Sequence, residues 1–258
     1  SLPFLEAIRQ LKQEKGALNA INIHLTLVPY IRSADEIKTK PTQHSVGKLR
    51  EIGIQPEILI CRSEKPLTRD TKRKIALFCN VEESSVIQAL DAETIYEVPL
   101  MFQEEWLDEL IVRKLNLKSA PKPLEAWKRA IETIKHPRHT VSIAVIGKYI
   151  TLQDAYKSIY EALVHAGIEN DARVSIIKID SEDLVSVSQH ALAKRLGSVS
   201  GILIPGGFGK RGVEGKINAI QYAREGRIPY LGLCLGMQTA VIEFARNVCG
   251  LKLANSSE

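Results

Sequence analysis

The stretch Ile228-Pro229-Tyr230-Leu231-Gly232-Leu233-Cys234-Leu235-Gly236-Met237-Gln238 runs from an apolar segment through Gly-x-Cys-x-Gly into a helix-compatible segment. A buried strand that turns sharply into a helix is the repeating unit of a parallel α/β sheet. The form is that of a nucleophile elbow with cysteine in place of serine. Glycines on either side of Cys234 permit the sharp turn and the close backbone approach it needs. The turn sets the thiol ahead of a helix N-terminus, where the macrodipole favours thiolate, the nucleophilic form. The amide of Leu235 is then expected to face an oxyanion formed on an attacked carbonyl. The plainer alternative is a core cysteine in a strand–helix corner. Cys61, Cys79 and Cys249 lack the setting and are expected in the core.

Working outward, strands are expected at 201–204 and 229–233, and helices at 214–224 and 236–246. The strand 201–204 ends in Pro205-Gly206-Gly207-Phe208-Gly209. Successive strand ends of a parallel sheet meet at one edge, so Gly207 is expected to offer a second N–H to the same oxyanion. Gly207-Phe208-Gly209-Lys210-Arg211-Gly212, with Glu225 downstream, also spells a dinucleotide fingerprint. That fingerprint belongs at the first strand–helix turn of its domain, and here it follows the third strand. Lys216 follows Gly215 without the spacing of a P-loop. Before these come strands at 141–146 and 173–179 and helices at 154–165 and 188–196, with Gly167 expected as a C-cap.

The first part of the chain reads as helix 4–15, strand 20–28, helix 45–52, strand 57–61, helix 70–76, strand 76–79, a helical turn at 84–88, strand 94–97 and helix 102–115. Between the two parts, Ser119-Ala120-Pro121-Lys122-Pro123 and a helix at 124–135 read as a linker. In the first part, Glu36-Ile37-Lys38-Thr39-Lys40-Pro41-Thr42-Gln43-His44-Ser45 gathers lysines, hydroxyls and an amide just before a helix. Such a set suits a polyphosphate, although a solvated polar loop has the same composition.

Composition narrows the classes. The 258 residues are 45% hydrophobic and 25% charged with a net charge of +5, an ordinary globular balance. Four cysteines without Cys-x-x-Cys spacing argue against a zinc ribbon or a disulfide framework and for a reducing compartment with mostly buried thiols. No apolar run is long enough to span a bilayer. Basic residues are dispersed and aromatics are 5%, which speaks against nucleic-acid binding. Some cations are expected to serve anionic small molecules such as nucleotides. The chain opens at Ser1 and stops at Ala254-Asn255-Ser256-Ser257-Glu258, and is expected to be a fragment of a longer one.

Together these motifs resemble the CTP synthase family. Lys38-Thr39-Lys40-Pro41-Thr42-Gln43-His44-Ser45-Val46 looks like its UTP/CTP phosphate loop. Lys74-Ile75-Ala76-Leu77-Phe78-Cys79-Asn80-Val81 is similar to a block whose lysine also serves the pyrimidine nucleotide. Asp91-Ala92-Glu93-Thr94-Ile95-Tyr96 resembles the border of the adenine pocket, making Ala92 an ATP contact. Gly147-Lys148-Tyr149, Pro205 to Gly209, the Cys234 elbow and Ala254 to Glu258 complete the resemblance, on the glutaminase side.

The resemblance implies two parallel-sheet α/β domains. Residues 1–118 would be the C-terminal part of a Rossmann-like synthetase domain, 119–139 a Pro-rich linker and helix, and 140–258 the N-terminal part of a class I glutamine amidotransferase domain. It implies amination of UTP to CTP with ATP and glutamine. Cys234 is the implied nucleophile, Gly207 and Leu235 the oxyanion donors, and Gly236, Met237, Gln238 and Glu258 the remaining glutamine contacts. Lys38, Thr39, Lys40, Pro41, Thr42, Gln43 and Lys74 would bind UTP or CTP. It further implies Mg²⁺ with ligands outside these residues, GTP as activator, CTP as feedback inhibitor, a homotetramer, a cytoplasmic location, and no nucleic-acid or membrane partner.

Two departures stand out. No P-loop is present, and all six histidines precede Cys234, so the family's triad base is missing and the 258 residues alone are expected to be inactive. The rival readings are another class I amidotransferase and a non-catalytic nucleotide-binding paralogue.

Overall fold

The computed structural model describes residues 1–118, 120, 123–152 and 154–256. The chain divides into two compact units, Ser1–Lys128 and Arg129–Glu258, and each is α/β with a parallel sheet.

In the first unit, α1 (Leu2–Lys15) precedes β1 (Ile23–Leu27), a short hairpin of β2 (Tyr30–Ile31) and β3 (Glu36–Ile37), and α2 (Lys40–Glu51). β4 (Ile58–Ser63), α3 (Arg69–Cys79), β5 (Val86–Leu90), α4 (Val98–Glu104) and α5 (Leu107–Lys114) follow. The sheet order is β1-β4-β5, with Leu25 opposite Ile60 and Ile60 opposite Ile87. β4 is central and buried on both faces. Leu59 and Cys61 pack with Val46 of α2 and Ile75 of α3, while Ile58 packs with Ile87, Leu107 and Leu110. Each such fully buried aliphatic side chain contributes about 1.5–3 kcal/mol. A further helix, α6, spans Glu125–Lys135.

The second unit runs β6 (His139–Gly147), α7 (Lys157–Glu169), β7 (Ala172–Asp180), α8 (Gln189–Leu196), β8 (Gly201–Ile204), α9 (Val213–Glu225), β9 (Tyr230–Gly232) and α10 (Leu235–Asn247). Its order is β7-β6-β8-β9, all parallel. Ala144 and Ile146 of β6 and Ile202 and Ile204 of β8 form the core with Leu192, Leu196, Ala219 and Ile220. Strand order reverses at β6, whose neighbours are β7 and β8. The carboxyl ends beside such a switch point are where open α/β sheets place their ligands.

Several expectations from sequence are corrected. Residues 76–79 are the last turn of α3 and not a strand, because Ile75, Ala76 and Cys79 recur on one buried helical face. The strand lies at Val86–Leu90, directly after a 3-10 turn, where a helical turn was expected. Residues 94–97 form no strand: Thr94 and Glu97 close a capping box over a 3-10 turn. The helix expected over 102–115 is two helices, parted at Trp106, whose φ is 59°. Gly167 lies inside α7 and is no cap. A Cβ there would come within 2.5 Å of the Ala172 carbonyl oxygen, so the glycine lets α7 approach the start of β7. Cys249 is exposed, so only Cys61 and Cys79 take the core place expected of the three. The expected linker includes Ser119, Pro121 and Lys122, which lie outside the described residues.

Candidate active site

Cys234 caps α10 at φ 52°, ψ −108°, a conformation that non-glycine residues rarely adopt. Strain of this kind costs about 1–3 kcal/mol and persists only where the surroundings enforce it. The enforcing contacts are dense. Leu233 N–H donates to the Ile204 carbonyl at 2.9 Å, and Gly236 N–H to that of Leu233 at 2.9 Å. A Cβ on Gly232 would lie 2.5 Å from the Gly236 carbonyl carbon, and one on Gly236 2.1 Å from the Ile204 oxygen. No side chain fits at either place, which is why glycine stands on both sides of the cysteine. Two hydroxyls brace the first turn of α10: Tyr230 donates to the Gly236 carbonyl at 2.6 Å and Thr239 to that of Leu235 at 2.9 Å. Burial pushes the Tyr230 phenol up, keeping it a donor.

The loop after β8 meets this turn. The Cβ position of Gly206 is 3.5 Å from Cys234 Cβ and 4.0 Å from Sγ, and that of Gly207 is 3.7 Å from Leu235 Cδ2. Gly206 thus lies against Cys234, and Gly207 against the side chain of Leu235. Lys148, only 5% exposed, follows β6 and sets its Cε 3.2 Å from the same Gly207 position. No sequence motif marks Lys148 for this place, because nothing local shows that the end of β6 meets the β8 loop. Gly236 is buried and Met237 is exposed. Gln238 has a buried Oε1 with no protein partner, an acceptor free for a ligand's N–H. A cavity of about 190 Å³ beside the elbow is lined by Gly209, Glu214, Leu235, Thr239, Asn255 and Ser256 among others. Glu258 lies outside the described residues.

The cysteines differ in kind. Burial, with Cys79 nearby, pushes the Cys61 thiol up to about 12, and burial pushes Cys79 up to about 11. Both are locked as thiols, while Cys234 is exposed.

In the first unit, the Lys-Thr-Lys-Pro-Thr-Gln string does not precede α2; Thr39 is its N-cap and Lys40 to Gln43 are its first turn. Pro41 suits that place because its missing N–H would have had no helical partner. Thr42 is fully buried, donates to the Leu27 carbonyl at 3.1 Å and accepts from Thr26 at 3.2 Å. Gln43 donates to the buried Thr39 hydroxyl at 3.1 Å. The cations remain accessible. Lys40 is exposed, and Lys38 pairs with Glu36. The hydrogen bond and charge of Lys38 hold the Glu36 carboxyl below its usual range, and the Lys74 ammonium adds to this from α3. Lys38 and Lys74, remote in sequence, therefore share one locale. Ala92 is exposed just past the end of β5. Among the described residues no group of three or more His, Cys, Asp and Glu side chains could hold a metal ion. No helix among them is long and apolar enough to cross a membrane.

Comparison with known proteins adds the following. Residues 1–117 match the model for the CTP synthase N-terminus, and residues 151–257 that for class-I glutamine amidotransferase. The CTP synthase of Carboxydothermus hydrogenoformans is 59% identical over all of this chain and 48% of its own length. That of Syntrophus aciditrophicus is 57% identical, covering 47% of its length, and that of Methanocaldococcus jannaschii 56%, covering 48%. The chain thus spans about half the length of the curated relatives it matches. A solved glutaminase domain of Trypanosoma brucei CTPS with bound acivicin is 46% identical over 46% of this chain and 45% of that one, at a TM-score of 0.43.

Proposed function

We propose that this chain, a CTP synthase homologue along its whole length, carries the glutaminase nucleophile and part of the pyrimidine-nucleotide site of an enzyme that aminates UTP to CTP. On this reading residues 1–118 belong to the synthetase domain, 119–139 join the domains, and 140–258 open the glutaminase domain. The observation that carries it is the enforced, glycine-flanked turn at Cys234 with the β8 loop closed against it.

The Cys234 sulfur attacks the carboxamide carbon of glutamine. Its electron pair forms the C–S bond while the carbonyl oxygen takes negative charge between the Gly207 and Leu235 amides. The proton given up by the thiol passes to the nitrogen, collapse expels it as ammonia and leaves a glutamyl thioester, and water hydrolyses this to glutamate and free thiol. Gln238 and Glu258 hold the polar groups of the substrate. In the first unit Lys38, Lys40 and Lys74 neutralise the triphosphate of UTP or of the inhibitor CTP. Thr39, Pro41, Thr42 and Gln43 shape the helix start that presents them, and Ala92 borders the ATP. Mg²⁺ with ligands outside these residues, GTP as activator, a homotetramer and a cytoplasmic location belong to the same reading.

The test is a split of activities. Residues 1–258 are spliced into the frame of the Carboxydothermus relative, and Cys234→Ala is compared with the unsubstituted chimera. Glutamine-dependent CTP formation should vanish while ammonia-dependent formation stays within about twofold, since only the nucleophile is removed. Loss of both makes Cys234 structural, and retention of both removes it from catalysis.

A further inference from the structure

After α10 the chain turns back along the helix. Leu251 N–H donates to the Ala245 carbonyl and Ala254 N–H to that of Leu251, both at 2.9 Å. Apolar burial does not hold this return segment, for Leu253 is 95% exposed and Leu251 61%. A side chain of α10 does. Arg246 Nε donates to the Ala254 carbonyl at 2.6 Å, and its Nη1 donates to both carboxylate oxygens of Glu214 at 3.0 Å. The Arg246 side chain is only 19% exposed. Glu214 stands in the first turn of α9, just after the glycine loop, and Ala254 directly precedes Asn255 and Ser256. Glu214, Asn255 and Ser256 line the cavity together with Leu235, the residue after Cys234, whereas Cys234 and Arg246 do not. One guanidinium therefore ties two walls of the cavity together from behind.

We propose that Arg246 is a positioning residue for the glutamine pocket: it fixes the return segment 254–256 against the start of α9 and so sets the fit of substrate beside Cys234. The inference rests on the cavity being the glutamine site. A planar fork reaches a carbonyl and a carboxylate at once, whereas a lysine ammonium on a flexible stem satisfies one of them well. The clamp does not touch the elbow, which Tyr230, Thr239 and the glycines hold independently. Substrate fit should thus be separable from thiol reactivity.

The test follows modification of Cys234 in the 258-residue chain by the chloroketone analogue of glutamine, which saturates a glutamine site, and by iodoacetamide, which does not. Arg246→Ala should raise the half-saturating chloroketone concentration about 10- to 100-fold, the range expected for loss of charge-assisted hydrogen bonds. The iodoacetamide rate at Cys234 should stay within about twofold, because α10 keeps its first turn. Arg246→Lys should fall between the two, and Glu214→Gln, which loosens the other end of the clamp, should shift half-saturation in the same direction. Unchanged half-saturation in both Arg246→Ala and Glu214→Gln overturns the proposal. Equal loss of reactivity toward both reagents also overturns it, since Arg246 would then be holding the elbow. If the unsubstituted chain reacts with iodoacetamide but shows no saturation with the chloroketone, the glutamine reading fails, and the role of the clamp with it.

Discussion

The turn at Cys234 and the turn at Lys38–Gln43 both lead into a helix beside a parallel sheet, yet they are built in opposite ways. At Cys234 the backbone makes the site. Gly232 and Gly236 leave no room for a Cβ, the cysteine is held at φ 52°, and carbonyls and hydroxyls lock the geometry. At Lys38–Gln43 side chains make it. The backbone is ordinary helix start, Thr39 and Thr42 are buried as anchors, and Lys38 and Lys40 reach solvent. A nucleophile must be aimed to a fraction of an ångström, which a strained backbone can do. A polyphosphate needs charge within reach, which long side chains on a well-anchored turn supply.

The sharpest way to break that contrast is to add one methyl group to each region. Gly236→Ala forces a Cβ to 2.1 Å from the Ile204 oxygen, whereas Gly47 in α2 has nothing within 4 Å of its Cβ position. Gly236→Ala should cost more than about 3 kcal/mol of unfolding free energy, a loss expected of steric conflict in a packed interior. Gly47→Ala should add about 0.5–1 kcal/mol, because a mid-helix glycine gains helix propensity. Denaturant unfolding of both variants measures the pair, and equal effects would show that the elbow is not tightly closed.

Lysines divide the two units as well. Lys38, Lys40 and Lys74 are accessible, but Lys216 in α9 is fully buried with no partner for its Nζ. Burial, together with the nearby Lys148 charge, pushes it down to about 8. The unfolded chain keeps that proton to about pH 10.5, so between pH 8 and 10.5 the unfolded state binds more protons and stability rises with pH. Below pH 8 the penalty is present in full. Lys216→Met should therefore stabilise the chain by about 3 kcal/mol at pH 7, and the difference from the unsubstituted chain should vanish above about pH 10.5. A pH-independent difference would mean that Lys216 holds its proton equally in the folded and unfolded chain, so that burial does not push it down.

Within the Lys-Thr-Lys-Pro-Thr-Gln string the two roles separate in a milder experiment. Lys40→Ala should weaken UTP or CTP binding about 10- to 100-fold with the thermal midpoint unchanged. Thr42→Val should cost about 1–2 kcal/mol of stability, since it strands the Leu27 carbonyl and the Thr26 hydroxyl. Titration calorimetry and thermal unfolding of both variants read the separation. If Lys40→Ala leaves the dissociation constant unchanged, the string is a solvated turn.

The same contrast explains what could be read from the sequence. The elbow was legible because its requirements are local: apolar strand, glycine, cysteine, glycine and helix lie in one short run. The α/β class was legible for the same reason, in the strand–helix alternation at 201–246. The interior of the first unit was harder. Ala76 and Cys79 carry the apolar character of a strand, and only the recurrence of Ile75, Ala76 and Cys79 on one face shows a helix. Trp106 breaks a periodic stripe through a backbone torsion that periodicity does not encode. In the string at 38–43 the residue types pointed to phosphate, but which threonines turn inward depends on β1. Lys148 and Arg246 were out of reach, because each acts on a loop distant in sequence.

The most direct test of the account is the competition between the two exposed thiols, Cys234 and Cys249, for the chloroketone analogue of glutamine, with modified sites mapped by mass spectrometry. Both are accessible, and only Cys234 stands in an enforced turn at a helix N-terminus. Cys234 should be modified at least about tenfold faster, because a substrate site beside it holds the reagent in place for attack, and free glutamine should protect it while leaving Cys249 unaffected. Equal modification of Cys234 and Cys249, with no protection by glutamine, would contradict the assignment of Cys234 as the nucleophile.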